Sequence, residues 1–163
     1  MKITRPFRIA ALAALCSCFL PGCRQNPDLL KATESIMSTD REYSAMSART
    51  GMNSAFLAMF DSNGVILQKN HYPVEGIRDI RKLLESDEDS SFILTWEPLK
   101  ARVAISGEIG YTYGTYAIMG KTSREKLSEG TYVTIWGRKG KEGWKALLDT
   151  GNPGLSQVPK TGQ

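Results

Sequence analysis

The stretch "GYTYGTY", residues 110–116, packs three of the chain's six tyrosines and two glycines into seven positions. Tyrosine favours a pleated, half-buried surface. Glycine inside such a run marks a bend, a bulge or the close approach of another backbone. The stretch therefore reads as a bent strand. Tyr111 and Tyr113 share one face, and Tyr116 takes the other unless a bulge at Gly114 turns it inward.

Strand-like periodicity extends on both sides. Upstream, Phe92, Leu94 and Trp96 fall at alternate positions, Pro98 interrupts, and Leu99, Ala101, Val103 and Ile105 resume on the opposite parity. Proline in a strand implies an edge position or a bulge, and a bulge produces such a parity switch. Downstream, "GKTSREKLSEG" (120–130) reads as a polar excursion, "TYVTIW" (131–136) as a strand, "GRKGKEG" (137–143) as a turn and "WKALLDT" (144–150) as the last strand. The segment from Gly151 onward reads as a tail.

The period changes upstream of Phe92. Asn26 and Pro27 make a good helix start. From there to about Ala48, the apolar residues Leu29, Leu30, Ile36, Met37, Tyr43 and Met46 form one stripe of a long amphipathic helix. Gly51 breaks it. Met52, Ala55, Phe56, Met59 and Phe60 give a short second helix, "DSNG" (61–64) a turn, and "VIL" (65–67) a short strand. Ile77, Ile80, Leu83 and Leu84 place a third helix up to about Glu85, followed by the solvated acidic loop "SDEDSS" (86–91). Helices first and a strand meander afterwards argue an α+β fold. The economical packing is a curved antiparallel sheet with the helices on its concave face. Wrapped on the long N-terminal helix, it makes a cone with one open end.

The sequence "GYTYGTY" together with "GTYVTIWGRKGKEGWKALLDTGNP" (130–153) resembles the final three strands of SnoaL-like proteins. These belong to the nuclear transport factor 2-like (cystatin-like) superfamily, and the nearest branch is domain of unknown function 4440. Gly110, Gly114, Ile135-Trp136, the basic turn, Trp144 and Asp149 carry the resemblance, and the element order over about 27–153 agrees. The resemblance implies the cone fold. It leaves function open, because the superfamily hosts isomerases, dehydratases, cyclases, hydrolases, oligomerisation domains and non-catalytic binders.

Asp149 is a lone acid in an apolar run. Facing the cavity, its pKa would rise and it would serve as an acid or base, as carboxyls in apolar surroundings do in ketosteroid isomerase, a superfamily member. At the strand end it would instead bond the backbone of "TGN" in an Asx-type turn. His71, the chain's single histidine, is the other candidate base. Trp96, Tyr111, Tyr113, Tyr116 and Tyr132 are the candidate pocket residues, each also readable as ordinary packing. Trp136 fits either the cavity side or the outer face, where the superfamily often dimerises. With one histidine and no cysteine beyond Cys23, no three- or four-ligand zinc set forms; no metal and no cofactor are expected.

The first residues belong to a different problem. Lys2, Arg5 and Arg8 precede the uncharged run "IAALAALCSCFL" (9–20), which is shorter than the about 20 residues of a spanning helix. This reads as a secretory signal. It ends in "LPGC" (20–23), which resembles the bacterial lipobox and implies lipidation of Cys23; "LCSC", ending at Cys18, is a competing match. Several acyl chains on one cysteine anchor stably where one is marginal. The expected organisation is a signal peptide at 1–22, an anchor linker at 23–26, the domain at 27–153 and a tail at 154–163. Cut before Cys23, the chain carries 18 basic against 17 acidic residues, or +1. The pI near 9.0 therefore argues for no nucleic-acid partner.

The expected protein is a lipid-anchored module of the bacterial cell envelope, facing the periplasm. Its non-catalytic cone binds a small hydrophobic or amphipathic molecule or a partner, with a homodimer through the sheet face as one arrangement. The alternative is a cofactor-independent isomerase, dehydratase or cyclase. There Asp149 or His71 is the base, and a hydroxyl from Tyr113 or Tyr132 stabilises an enolate-like oxygen.

Overall fold

A computed structural model of the chain describes residues 29–85, 91–140 and 143–155. The expected signal segment, Cys18, Cys23, the Asn26–Pro27 helix start, most of the acidic loop and the last eight residues lie outside the described residues.

The long helix α1 spans Leu29–Thr50 and the short α2 spans Met52–Met59, separated by Gly51 at φ 93°. Strand β1 is Phe60–Leu67, β2 is Val74–Glu75, and α3 is Ile77–Glu85. Four long strands follow: β3 Phe92–Val103, β4 Ile109–Gly120, β5 Lys126–Arg138 and β6 Trp144–Pro153. They build one curved six-stranded sheet in the order β2-β1-β6-β5-β4-β3. The pairings are antiparallel except β1 with β6, which run parallel. Helices α1 and α2 pack against each other, and α1 lies chiefly on β3 and β4.

Three boundaries differ from the sequence reading. "DSNG" does not separate a helix from a strand but sits inside β1, where the register against β6 shifts between Phe60 and Val65. Its turn chemistry is real all the same: Asp61 Oδ1 accepts the Asn63 N–H at 3.0 Å. The polar excursion shrinks to residues 121–125, because polar side chains at 126–130 sit comfortably on a half-exposed strand. Gly151, Asn152 and Pro153 pair with β5 as the end of β6 and are not tail.

The parity switch in β3 is a bulge. The register against β4 slips between Pro98 and Lys100, leaving Leu99 unpaired and outward, 59% exposed. Pro98 itself is buried opposite Gly114 on the outermost strand. The bend thus arises in β3, and Gly114 is its complement: a Cβ at 114 would overlap the Glu97 carbonyl. Inward-facing Gly110, Thr112, Gly114 and Tyr116 alternate with outward Tyr111 and Tyr113. The inner residues are small where α1 presses closest, since a Cβ on Gly110 would lie 3.0 Å from Ile36 Cδ1.

The buried stripe of α1 is Ala32, Ile36, Asp40, Ser44 and Ser47. It is less apolar than the spacing suggests because the helix does more than fill the core. Ser47 Oγ donates to the Leu94 carbonyl at 2.7 Å, and Ser44 Oγ accepts the Trp96 N–H at 2.8 Å. Small hydroxyls satisfy backbone groups of the edge strand that would otherwise be buried without partners.

Candidate functional site

Between α2 and the inner face of the sheet lies a cavity of about 350 Å³. Met52, Phe56 and Met59 of α2 form one wall, and Leu94, Trp96, Tyr116, Ile118 and Tyr132 of the sheet form the facing one. The Tyr116 ring lies across Gly130, where a Cβ would stand 2.7 Å from the ring carbons, so glycine on the neighbouring strand makes room for an aromatic floor. Gln68, exposed Lys69, Gly151 and Pro153 line the open end.

Among the described residues, one carboxyl faces this apolar space. Asp149 is brought there by pairing with Thr134 on β5 and Ile66 on β1. Its Oδ2 accepts the Thr134 hydroxyl at 2.6 Å. It does not fold back on the Gly151–Asn152 backbone, since those residues continue the strand. Burial in the cavity wall pushes its pKa up to about 7; the Thr134 hydrogen bond opposes this, and the charge of Asp40 adds to it.

Asp40 stands immediately behind the wall, fully buried on α1. Trp96 Nε1 donates to its Oδ1 at 2.6 Å, and the Tyr132 hydroxyl donates to its Oδ2 at 2.7 Å. Burial raises its pKa, while hydrogen bonds from Thr112, Tyr132 and Trp96 pull it back. Burial, and then the Asp40 carboxylate, push the Tyr132 phenol far above its ordinary range, so that proton stays on Tyr132. Deeper still, Trp136 is fully buried, donates Nε1 to Thr112 Oγ1 at 2.8 Å and stacks on Tyr43 at 6.2 Å.

Of the candidate site residues, Asp149, Trp96, Tyr116 and Tyr132 come together around the cavity. Tyr111 and Tyr113 do not. They stack on each other on the outer face, 6.5 Å between centroids, each 40% exposed. The parity of β4 carries both away once Thr112 and Gly114 point inward. His71 is exposed in the loop after β1, its Nδ1 3.1 Å from the Lys69 carbonyl, and does not line the cavity. Trp136 belongs to the helix side of the sheet, not its outer face. Asp40 escaped the sequence reading, although the signal was present: it falls four residues after Ile36 and three before Tyr43, in the middle of the apolar stripe. Among the described residues no group of three His, Cys, Asp or Glu side chains converges that could hold a metal.

No protein-family model matches the sequence, and no curated protein matches it. Solved structures do match. A nuclear transport factor 2-like protein with a cystatin-like fold from Novosphingobium aromaticivorans aligns at 15% identity and TM-score 0.61, over 75% of this chain and 81% of that one. A domain of unknown function with a cystatin-like fold from Nostoc punctiforme aligns at 14% and TM-score 0.62, over 76% and 77%. The chain has the nuclear transport factor 2-like fold. A ketosteroid isomerase-like protein from Erwinia carotovora atroseptica shares this fold at 12% identity and TM-score 0.53, over 70% and 93%. At such identities the likeness is one of architecture. In nuclear transport factor 2-like terms, the cavity is the interior of the cone, α1 is its axis, and Tyr111 and Tyr113 lie on its outer surface.

Proposed function

We propose that this chain is a lipid-anchored envelope protein whose nuclear transport factor 2-like cone binds a small apolar or amphipathic molecule without transforming it. We place it among the SnoaL-like proteins of the nuclear transport factor 2-like superfamily, in the domain of unknown function 4440 branch, secreted through the 1–22 signal and held at the membrane, facing the periplasm, by lipid on Cys23. The observation that carries the binding reading is the aromatic-walled cavity with, among the described residues, a single carboxyl in it. Catalysis of the isomerase kind asks for a base and a hydrogen-bond donor converging on one point. Here the Tyr132 proton is held by Asp40, Tyr113 is outside and His71 is outside. We also propose that the outer sheet face, with Ile109, Tyr111 and Tyr113 exposed on it, is the surface of a homodimer.

A second reading, a cofactor-independent isomerase or dehydratase acting on a small apolar substrate, is favoured by one observation: Asp149 lies in the cavity with its pKa raised to about 7, the range in which a carboxyl exchanges protons at neutral pH.

The soluble chain from residue 24 should show a thermal shift of several degrees with members of a broad set of small apolar molecules, and none of them should be chemically altered on recovery. Absence of any shift would argue against the binding reading, and a changed product that disappears in Asp149→Asn would favour the second. Radioactive palmitate should label the full chain, and labelling should be lost in Cys23→Ala.

A further inference from the structure

The cavity's polar groups are not evenly divided between donors and acceptors. Around its carboxyl, the Trp96, Tyr132 and Thr134 donors are each committed to a carboxylate, while the Tyr116 hydroxyl and, further along the lining, Gln68 and Lys69 are the other polar side chains. Trp96 Nε1 and the Tyr132 hydroxyl bond Asp40, and the Thr134 hydroxyl bonds Asp149 Oδ2. A phenol has one proton and two lone pairs, and a carboxylate only lone pairs. What remains for a ligand beside Thr134 is therefore Asp149 Oδ1 and the lone pairs on the Tyr132 oxygen, both acceptors. The surrounding surface is aromatic and thioether: Phe56, Trp96, Tyr116, Met52 and Met59. The ionised Asp149 inside such walls repels a carboxylate ligand and offers a ketone or ether no proton. It suits a head group that brings its own protons and positive charge.

We propose that the cone selects small apolar amines. The ammonium would sit on Asp149 Oδ1 and the Tyr132 oxygen, with the hydrocarbon body against Phe56, Trp96 and Met59. This rests on the binding reading above and names the ligand class for that site. Two further arguments support it. Burial in the cavity wall disfavours the ionised carboxylate, so a bound ammonium supplies it with a counter-charge. Aromatic faces within a few ångströms attract a cation, more so where water is thin.

The pH response follows from the groups facing Asp149. They are Thr134 and Tyr132 from β5, Asp40 from α1, and Gln68 and Lys69 after β1, with Lys69 exposed at the open end; α2 presents only apolar side chains. Protonation of Asp149 turns Oδ1 from an acceptor into a donor, so amine binding weakens as the pH falls through about 7.

The test titrates the full-length chain in lipid nanodiscs, blanked with empty discs, by calorimetry with three probes on one skeleton: 4-phenylbutylamine, 4-phenylbutan-1-ol and 4-phenylbutanoate. At pH 8 the amine should bind about tenfold tighter than the alcohol and tighter still than the acid. Its affinity should fall about tenfold between pH 8 and pH 6, as expected for ligation by one group titrating near neutrality. In Asp149→Asn the amine's advantage over the alcohol should shrink below about threefold and lose its pH dependence. Equal binding of all three heads, or tightest binding by the acid, overturns the amine proposal and leaves the binding reading standing. Binding of none of them at any pH overturns both. The wild-type series decides the matter without the variant.

Discussion

Tyr132 donates its hydroxyl hydrogen bond to Asp40 across 2.7 Å, which leaves its oxygen only lone pairs for any other partner. The same carboxylate holds Trp96 at 2.6 Å, so one helix residue sets the position of two cavity-wall rings on different strands. Removing Asp40 strands two buried donors, each costing about 1–3 kcal/mol when left unpaired. Asp40→Ala is expected to lose about 3 kcal/mol or more in urea unfolding. Tyr132→Phe, which removes one donor along with its bond, should lose about half of that or less. A loss under about 1 kcal/mol for Asp40→Ala would mean the cluster does not hold the wall.

Asp149 makes a prediction with a definite sign. Its folded pKa, about 7, lies above the ordinary 3.8, so the folded state holds a proton that the unfolded chain has released between those values. Its contribution is most favourable below pH 3.8, declines as the pH rises through about 7, and is flat above that. Three pH decades at about 1.4 kcal/mol each bound the effect at roughly 4 kcal/mol. Asp149→Asn, which keeps an acceptor for Thr134, should melt several degrees above wild type at pH 8, with the gap closing toward pH 4. Equal or lower melting temperature at pH 8 would refute the assignment of Asp149 as a buried carboxyl held near neutrality. The raised pKa of Asp40 acts in the same direction and should survive in the variant.

Gly114 separates steric from conformational demand. Its Cβ would strike the Glu97 carbonyl and approach Pro98 Cα to 2.9 Å, backbone atoms pinned by the bulge. Gly114→Ala should cost about 2–4 kcal/mol by denaturant titration. Gly140, at φ 48° with nothing within 4 Å of a Cβ, should cost about 1 kcal/mol for backbone strain alone. If the two costs are equal, the bulge is not as tightly packed as described.

Tyr111 and Tyr113 test the outer face independently of the cone. The double substitution Tyr111→Ser, Tyr113→Ser should shift sedimentation of the chain from residue 24 from dimer to monomer. It should leave ligand binding in the cavity within about twofold, since neither ring touches it. A monomeric wild type would remove the dimer proposal outright.

The cone could be read from residues whose constraints are local. The alternation from Phe92, its switch at Pro98 and the helical spacing before residue 85 each reflect a period or a missing N–H, and each reappears in the fold. The site was only half legible, because alternation distinguishes two faces of a strand without saying which is inside. Tyr111 and Tyr113 look no different from Tyr116 until α1 lies against Gly110. Asp149 could be singled out because an acid among "ALL" is locally anomalous. Asp40 left a fainter signal, its place on the apolar stripe, and its partners Trp96 and Tyr132 lie 56 and 92 residues away, where no local pattern links them to it. The two-residue β2 exists only through its pairing with Val65 and Ile66 and has no periodicity to detect.

The bulge at Leu99 has a consequence for how the domain behaves in a crowd. An open sheet ends in two strands whose unpaired backbone groups can recruit any extended chain nearby. Here one end is β3, interrupted by a proline without an N–H, kinked at Leu99 and studded with Lys100 and Arg102. The other end is β2, only two residues long. The stretch of β3 before the proline pairs with β4 without a shift, but α1 lies on it, with Ser47 on the Leu94 carbonyl and Ser44 on the Trp96 N–H, so helix and bulge together guard the sheet against growing sideways into fibres.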